Sequence, residues 1–147
     1  MPRAQLPAAV LFACTLNRTR SPMAAALMRR LYGDRVYVDS CGIKAAEDLD
    51  PLVFQVLAEA GIRAPPQAPK TFDQLDDESF DLVVSLTPDA QHRAAQQLRG
   101  RAVEIEYWPT YDPAESEGSR ETVLDGYREL RNLLEQRIRE RFGAPST

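Results

Sequence analysis

The sequence predicts an α/β fold: a three-layer sandwich with a four-stranded parallel sheet in the order 2-1-3-4 and helices on both faces. Three observations predict it. Short apolar or β-branched runs alternate with segments of helical spacing along the whole chain, and that alternation implies a parallel sheet. Right-handed crossovers leave few topologies, and with four strands the order 2-1-3-4 covers both faces. The 147 residues make one domain of common size, large enough for a real core. One domain over 1–147, with its core at about 8–142, is the expectation.

The elements follow in order. Ala8 to Ala13 is a short apolar run that reads as a buried strand. Met23 to Leu31 is rich in helix formers, with Ser21 as the expected cap and Pro22 at the first helical position. Val36 to Ser40 is the second strand, ended by Cys41-Gly42, where glycine is free to adopt a left-handed turn. Asp50-Pro51 opens a helix whose apolar positions are Val53, Val56, Leu57 and Ala60, and Gly61 stops it. Three prolines make 63–69 a loop, Phe72 to Leu75 adds one helical turn, and Lys70 reads as a solvated charge. Asp81 to Leu86 is the third strand, and Thr87-Pro88 starts a helix that runs to Leu98. Ala102 to Glu106 alternates, as a less buried fourth strand does. After a loop over 107–118, Ser119 caps the last helix, with an apolar stripe of Val123, Tyr127, Leu130, Leu134 and Ile138. Its charges are nearly balanced and read as a solvated face; Pro145 onward is expected to be loose.

Composition removes several classes of function. Hydrophobic residues are 44% and charged residues 27%, with no apolar run long enough to span a membrane. The first residues lack the apolar core of a signal peptide, so a cytoplasmic location is expected. A net charge of −4 argues against a general nucleic-acid binder. Two cysteines are no disulfide framework, and with the single His92 they cannot supply a typical structural zinc site. The lone histidine also argues against a histidine-based triad, and in its polar helix it reads as a solvated surface residue. No metal and no cofactor are expected.

The stretch Cys14-Thr15-Leu16-Asn17-Arg18-Thr19-Arg20-Ser21 joins the first strand to the first helix. Backbone N–H groups and a helix dipole converge there, which makes an anion site. In an open sheet, ligands bind beyond the carboxyl ends of strands where the order reverses. That point lies beside the first strand, where Cys14 sits. A helix N-terminus and a nearby Arg both favour the thiolate, the form that acts as nucleophile. Arg20 offers a planar fork for two phosphate oxygens, and the loop amides can hold the others. In-line attack by Cys14 then gives a thiophosphate, with Ser21 placed to donate to the sulfur. The departing group needs a proton, and Asp112 is the best candidate, with Pro113 restraining it and Trp108 and Tyr111 available to wall it off. Taken alone, Asp112-Pro113 reads first as an ordinary turn; Asp39, Asp81 and Asp89 are the competing acids.

From Val10 to about Phe142 the chain resembles the low-molecular-weight protein tyrosine phosphatase family. The resemblance rests on Cys-x5-Arg-Ser-Pro after the first strand and Asp-Pro near the C-terminus. It implies a four-stranded parallel sheet, Cys14 as nucleophile, Arg20 as phosphate clamp, Asn17 as loop brace, Ser21 as thiolate partner and Asp112 as general acid. Thr15, Leu16, Arg18 and Thr19 complete the phosphate-binding loop. The implied substrate is a phosphotyrosine protein or a small arylphosphate.

The chain also departs from that pattern. Leu16 stands where Gly is usual, and would be strained if that position needs φ > 0. Thr19 stands where many members have a second cysteine that protects the first. Cys41 stands where Ala is usual, and the segment 43–47 has no aromatic residue to stack on a phenol ring. Neighbouring strands are close enough for Cys41 to form a disulfide with Cys14, although a small buried hydrophobe is the simpler reading. Two other functions fit the loop. One is a non-catalytic phosphate- or phosphoprotein-binding module, motivated by Leu16 and the sparse pocket wall. The other is a thiol-dependent arsenate reductase, which by resemblance relays a disulfide through three thiols; this chain has two, and none between Asp81 and Gly100.

Overall fold

The computed structural model describes residues 6–75 and 79–143. Eight regular elements alternate: β1 (Ala9–Cys14), α1 (Arg20–Tyr32), β2 (Tyr37–Gly42), α2 (Pro51–Glu59), β3 (Leu82–Ser85), α3 (Pro88–Gln97), β4 (Glu104–Tyr107) and α4 (Arg120–Phe142). Single 3-10 turns lie at Phe72–Gln74 and Pro113–Glu115. The four strands form one parallel sheet in the order β2-β1-β3-β4, as the sequence predicts.

Every residue of β1 is buried, because β1 is central and helices cover both of its faces. Val10, Phe12 and Cys14 face a core shared with α1, α2 and α4. Ala9, Leu11 and Ala13 face a smaller core with α3, Phe72 and Phe80. β4, at the sheet edge, is half exposed.

Three helix starts differ in their chemistry. Asp50 caps α2 through Leu52 N at 3.0 Å, and Ser119 caps α4 through Thr122 N, both as expected. α1 starts earlier than the sequence suggests: Arg20 is its first residue and Thr19 its N-cap. Ser21 is not the cap, because its hydroxyl is turned to the Cys14 sulfur instead. Pro22 is the third helical residue, where its missing N–H still leaves no intrahelical bond unmade.

The stripe of α4 is Leu124, Tyr127, Leu130, Leu134, Ile138 and Phe142, so Leu124 takes the place expected for Val123. Its charged face is not simply solvated. Arg128 pairs with Glu59 at 2.8 Å, and Arg131 donates to Val56 O at 2.7 Å, tying α4 to α2. Ala60 lies exposed past the end of α2. Pro145 lies outside the described residues. Among those residues no helix is long and apolar enough to cross a membrane.

Candidate active site

β1 ends at Cys14, between β2 and β3, and the chain turns there into α1. The peptide orientations of the turn decide its chemistry. The carbonyls of Cys14, Thr15, Leu16 and Arg18 accept hydrogen bonds from the N–H groups of Ile43, Lys44, Ala46 and Asp50, at 2.9–3.2 Å. In a trans peptide the next N–H points opposite to the C=O. With those carbonyls turned outward, the N–H groups of Thr15, Leu16, Asn17 and Thr19 turn inward. Donors so turned suit an oxyanion at the start of α1.

One residue of the turn is left-handed, Asn17 at φ 52°. Asparagine tolerates that conformation well, so the strain expected at Leu16 does not arise. Asn17 then braces the loop on three sides. Its Nδ2 donates to Ser21 Oγ and to Ser40 Oγ, each at 2.9 Å, and its Oδ1 accepts from Lys70 N at 2.9 Å. Lys70 is not a solvated charge: its Nζ pairs with the buried Asp39 at 2.7 Å. Gly42 is required here for close approach and not for a left-handed turn. A Cβ on it would lie 2.7 Å from both Asn17 N and Lys44 O.

The Cys14 sulfur is 3.0 Å from Ser21 Oγ, and the residue is 2% exposed. Ser21 Oγ receives the Asn17 amide and also lies 3.2 Å from Cys41 O. The single hydroxyl proton is therefore shared between a carbonyl and the sulfur, and a thiolate would draw it. Arg20 donates through Nη1 to Thr110 O at 3.0 Å, which ties the first turn of α1 to the loop after β4.

Two carboxylates hold the loop from outside. Asp89, in the first turn of α3, accepts from Thr15 Oγ1 at 3.0 Å and from Thr87 Oγ1 at 2.5 Å. Burial pushes its carboxyl up, but those hydroxyls and the Ala90 amide outweigh it and hold it below the usual Asp range. Asp50 is 2% exposed and accepts from Thr19 Oγ1 at 3.1 Å, from Arg18 Nη1 at 3.2 Å and from the Tyr127 hydroxyl. Burial and then the Asp50 carboxylate push the Tyr127 phenol up. In the sequence Asp50 shows only as a helix cap, Asp89 only as a competing acid within a helix, and Tyr127 only as one position of a stripe.

A cleft of about 280 Å³ is lined by Cys14, Thr15, Leu16, Arg18, Thr19 and Arg20 on one side and by Asp112, Ala114 and Glu115 on the other. Asn17 and Ser21 lie behind that lining as braces. Asp112 Oδ1 caps its own 3-10 turn through Ala114 N at 2.9 Å. The expected screen of aromatic rings beside Asp112 is absent. Trp108 is a core residue packed edge-on to Phe12, and the Tyr111 hydroxyl donates to Gly126 O in α4. Among the competing acids, Asp39 is held by Lys70, Asp81 accepts from Ala8 N, and Asp89 serves Thr15. His92 is exposed, as expected.

Cys41 does not face Cys14. The register pairs Ala13 with Cys41 and Cys14 with Gly42. Side chains alternate between faces, so Cys41 points into the smaller core while Cys14 opens onto the larger. Both cysteines are free, and burial, then the charge of Cys14, pushes the Cys41 thiol up. The disulfide suggested by strand spacing fails on side-chain direction.

A family model, Low molecular weight phosphotyrosine protein phosphatase, matches residues 9–143. An arsenate reductase of Bacillus licheniformis is 32% identical over 130 residues, 88% of this chain and 91% of that protein. Among solved structures, a YwlE mutant from Bacillus subtilis is 25% identical at a TM-score of 0.74, covering 90% of this chain and 94% of that one. The tyrosine phosphatase Wzb from Escherichia coli K30, in complex with sulphate, shares the fold at 19% identity and a TM-score of 0.75, over 92% and 96% of the two chains.

Proposed function

We propose that this chain, which belongs to the low molecular weight phosphotyrosine protein phosphatase family, is a single-domain phosphomonoesterase acting through a cysteinyl-phosphate. Its substrate is a phosphotyrosine protein or a small arylphosphate. The observation that carries the reading is the Cys14 sulfur, held 3.0 Å from Ser21 Oγ in a loop whose carbonyls at 14, 15, 16 and 18 are tied to the segment 43–50.

In the first step Cys14 Sγ attacks phosphorus, the S–P bond forms and the P–O bond to the leaving group breaks. The inward amides and Arg20 hold the equatorial oxygens, where charge grows. Asp112, facing Cys14 across the cleft, gives its proton to the leaving oxygen. In the second step water attacks phosphorus and Asp112 takes the water's proton. The sulfur leaves as a thiolate, stabilised by the Ser21 hydroxyl. Every step uses a group of this chain.

The test is rapid mixing with para-nitrophenyl phosphate. A burst of nitrophenol matching the enzyme concentration, with phosphate trapped on Cys14 after acid quench, is the expected result. Inactivity of the fully reduced protein would leave a binding module. Arsenate reduction is a second reading, favoured by the names of the relatives. Arsenate is a phosphate-shaped oxyanion that the same loop would accept. Reduction through an internal relay conflicts with two cysteines on opposite faces of the sheet, so this reading needs an outside thiol. Oxidation of added glutathione in step with arsenate loss would support it.

A further inference from the structure

We propose that Arg18 is a specificity-determining residue that reads a second anionic group on the phosphorylated substrate, beside the phosphoryl group. This rests on the reading that the loop takes a phosphoryl group.

The cleft around Cys14 is lined mainly by polar and charged residues. Its apolar wall is thin, Leu16 on one side and Ala114 on the other, with no ring among its lining residues. Affinity for the rest of the substrate must then come largely from charge. The charges are segregated: Arg18 stands with Arg20 on the loop side, and Asp112 with Glu115 on the far side.

Arg20 is already engaged at Thr110 O, and the proposed reaction assigns it to the phosphoryl group. Arg18 is different. Its side chain is 37% exposed, yet it is tethered twice: the guanidinium to Asp50 Oδ2 at 3.2 Å, and the carbonyl to Asp50 N at 3.2 Å. Asp50 does not depend on this arginine to be buried. Leu52 N, Thr19 Oγ1 and the Tyr127 hydroxyl also donate to it. The ion pair engages only Nη1 of Arg18, and the remaining donors of the fork stay at the cleft wall. The result is a cation held at the cleft wall with much of its rotamer entropy already lost before a ligand arrives. A guanidinium so placed suits a carboxylate or a second phosphate. A second anion on the far side would instead meet Asp112 and Glu115, so the preference depends on which side of the phosphoryl group carries the charge.

The experiment measures binding, not turnover, on the Cys14→Ser protein. Phenyl phosphate, meta-carboxyphenyl phosphate and meta-(aminomethyl)phenyl phosphate are titrated by calorimetry, with inorganic phosphate as competitor. The carboxylate should bind about threefold to tenfold tighter than the parent, in line with a partly exposed charge pair, and the amine weaker. Added Arg18→Gln should bring the ratio close to one. Arg18→Lys should keep part of it, which guards against a loop that merely misfolds. Because the readout is a ratio within one protein, general loss of loop affinity cancels.

No advantage for the carboxylate, or an advantage that survives Arg18→Gln, overturns the proposal. If inorganic phosphate does not compete, the phosphoryl reading itself fails and this proposal falls with it. Phosphotyrosine peptides flanked by Asp or by Ala distinguish the sources. A matching ratio points to acidic protein segments, and a ratio seen only with small ligands points to small dianionic substrates.

Discussion

The loop that carries Cys14 and the loop that carries Asp112 face each other across one cleft but are held very differently. The first is braced from every side. Its carbonyls are bonded to the segment after β2, Asn17 reaches Ser21, Ser40 and Lys70, and two carboxylates take its threonine hydroxyls. The second is held mainly at its two ends: Trp108 N and Thr110 N and Oγ1 on the end of β3, the Arg20 guanidinium on Thr110 O, Tyr111 on Gly126 O and the buried Pro113 against α4, with the Asp112 carboxylate bonded only to its own turn. The difference fits the two tasks proposed for these loops. An oxyanion nest works only if its dipoles are fixed before charge develops. A general acid needs reach to a leaving group whose position varies with the substrate.

The largest expected effects test that division directly. Cys14→Ser should abolish hydrolysis while leaving phosphate binding measurable by calorimetry. Turnover above background would remove the sulfur from its role. Asp112→Asn should slow a poor leaving group such as phenol by about 10²–10⁴-fold, and a good one such as para-nitrophenol far less. Equal slowing of both would show that Asp112 is not the acid.

Gly42→Ala strikes the braced side without touching a reacting group. The new methyl would meet the backbone of Asn17 and Lys44 at 2.7 Å, and neither is the end of a flexible side chain. The loop must shift, and a displacement near 1 Å at such a site costs on the order of 10²-fold in kcat/KM. The loss should be the same for good and poor leaving groups, unlike that of Asp112→Asn. A normal kcat/KM would mean that the loop is softer than its hydrogen bonds imply.

How much of this was legible in the sequence follows the same division. The four strands and their order could be read because apolar runs and helix caps are local signals. The meeting of Cys14, Arg20 and Asp112 at one cleft could be read because strand–loop–helix and Asp-Pro are short motifs. The braces were not legible. Asp50 reads as a helix cap and Asp89 as one acid among several, and nothing local tells that their second oxygen or spare lone pair serves a loop far away in sequence. Gly42 showed as a turn glycine, because close approach of another segment leaves no mark on its own neighbours. Trp108 was misplaced beside Asp112 because sequence proximity says nothing about which side of the sheet a ring enters. The Cys14–Cys41 pairing failed for a related reason: strand spacing is set by the fold, but facing is set by register.

Tyr127→Phe sharpens the comparison on the braced side. It removes one donor from a buried carboxylate, a change of about 1.5–3 kcal/mol for a bond to a charged group. Thermal unfolding should show it as a lower Tm. Because Thr19 and Arg18 hang on the same Asp50, the affinity for inorganic phosphate should fall by about tenfold as well. A lower Tm with unchanged phosphate affinity would confine Tyr127 to the core and uncouple it from the loop.

The smallest effect concerns Asp89 and has a pH signature. Its carboxyl is held below the ordinary Asp range in the folded protein, so it binds a proton less readily folded than unfolded. The stability it contributes is then present above the unfolded value of about 3.9 and is lost as the pH falls through the lower folded value. Asp89 is exposed, so the contribution is under about 1 kcal/mol after solvent screening. Asp89→Asn should therefore be slightly less stable than the parent at neutral pH, with the gap closing on acidification below about pH 4. Thr15→Val, which deletes one of its donors, should show part of the same gap with the same sign. A gap that widens toward low pH would mean that the folded protein favours the protonated acid. Thr15 would then be held by something other than a carboxylate, and the first half of the loop would be no better braced than the loop of Asp112.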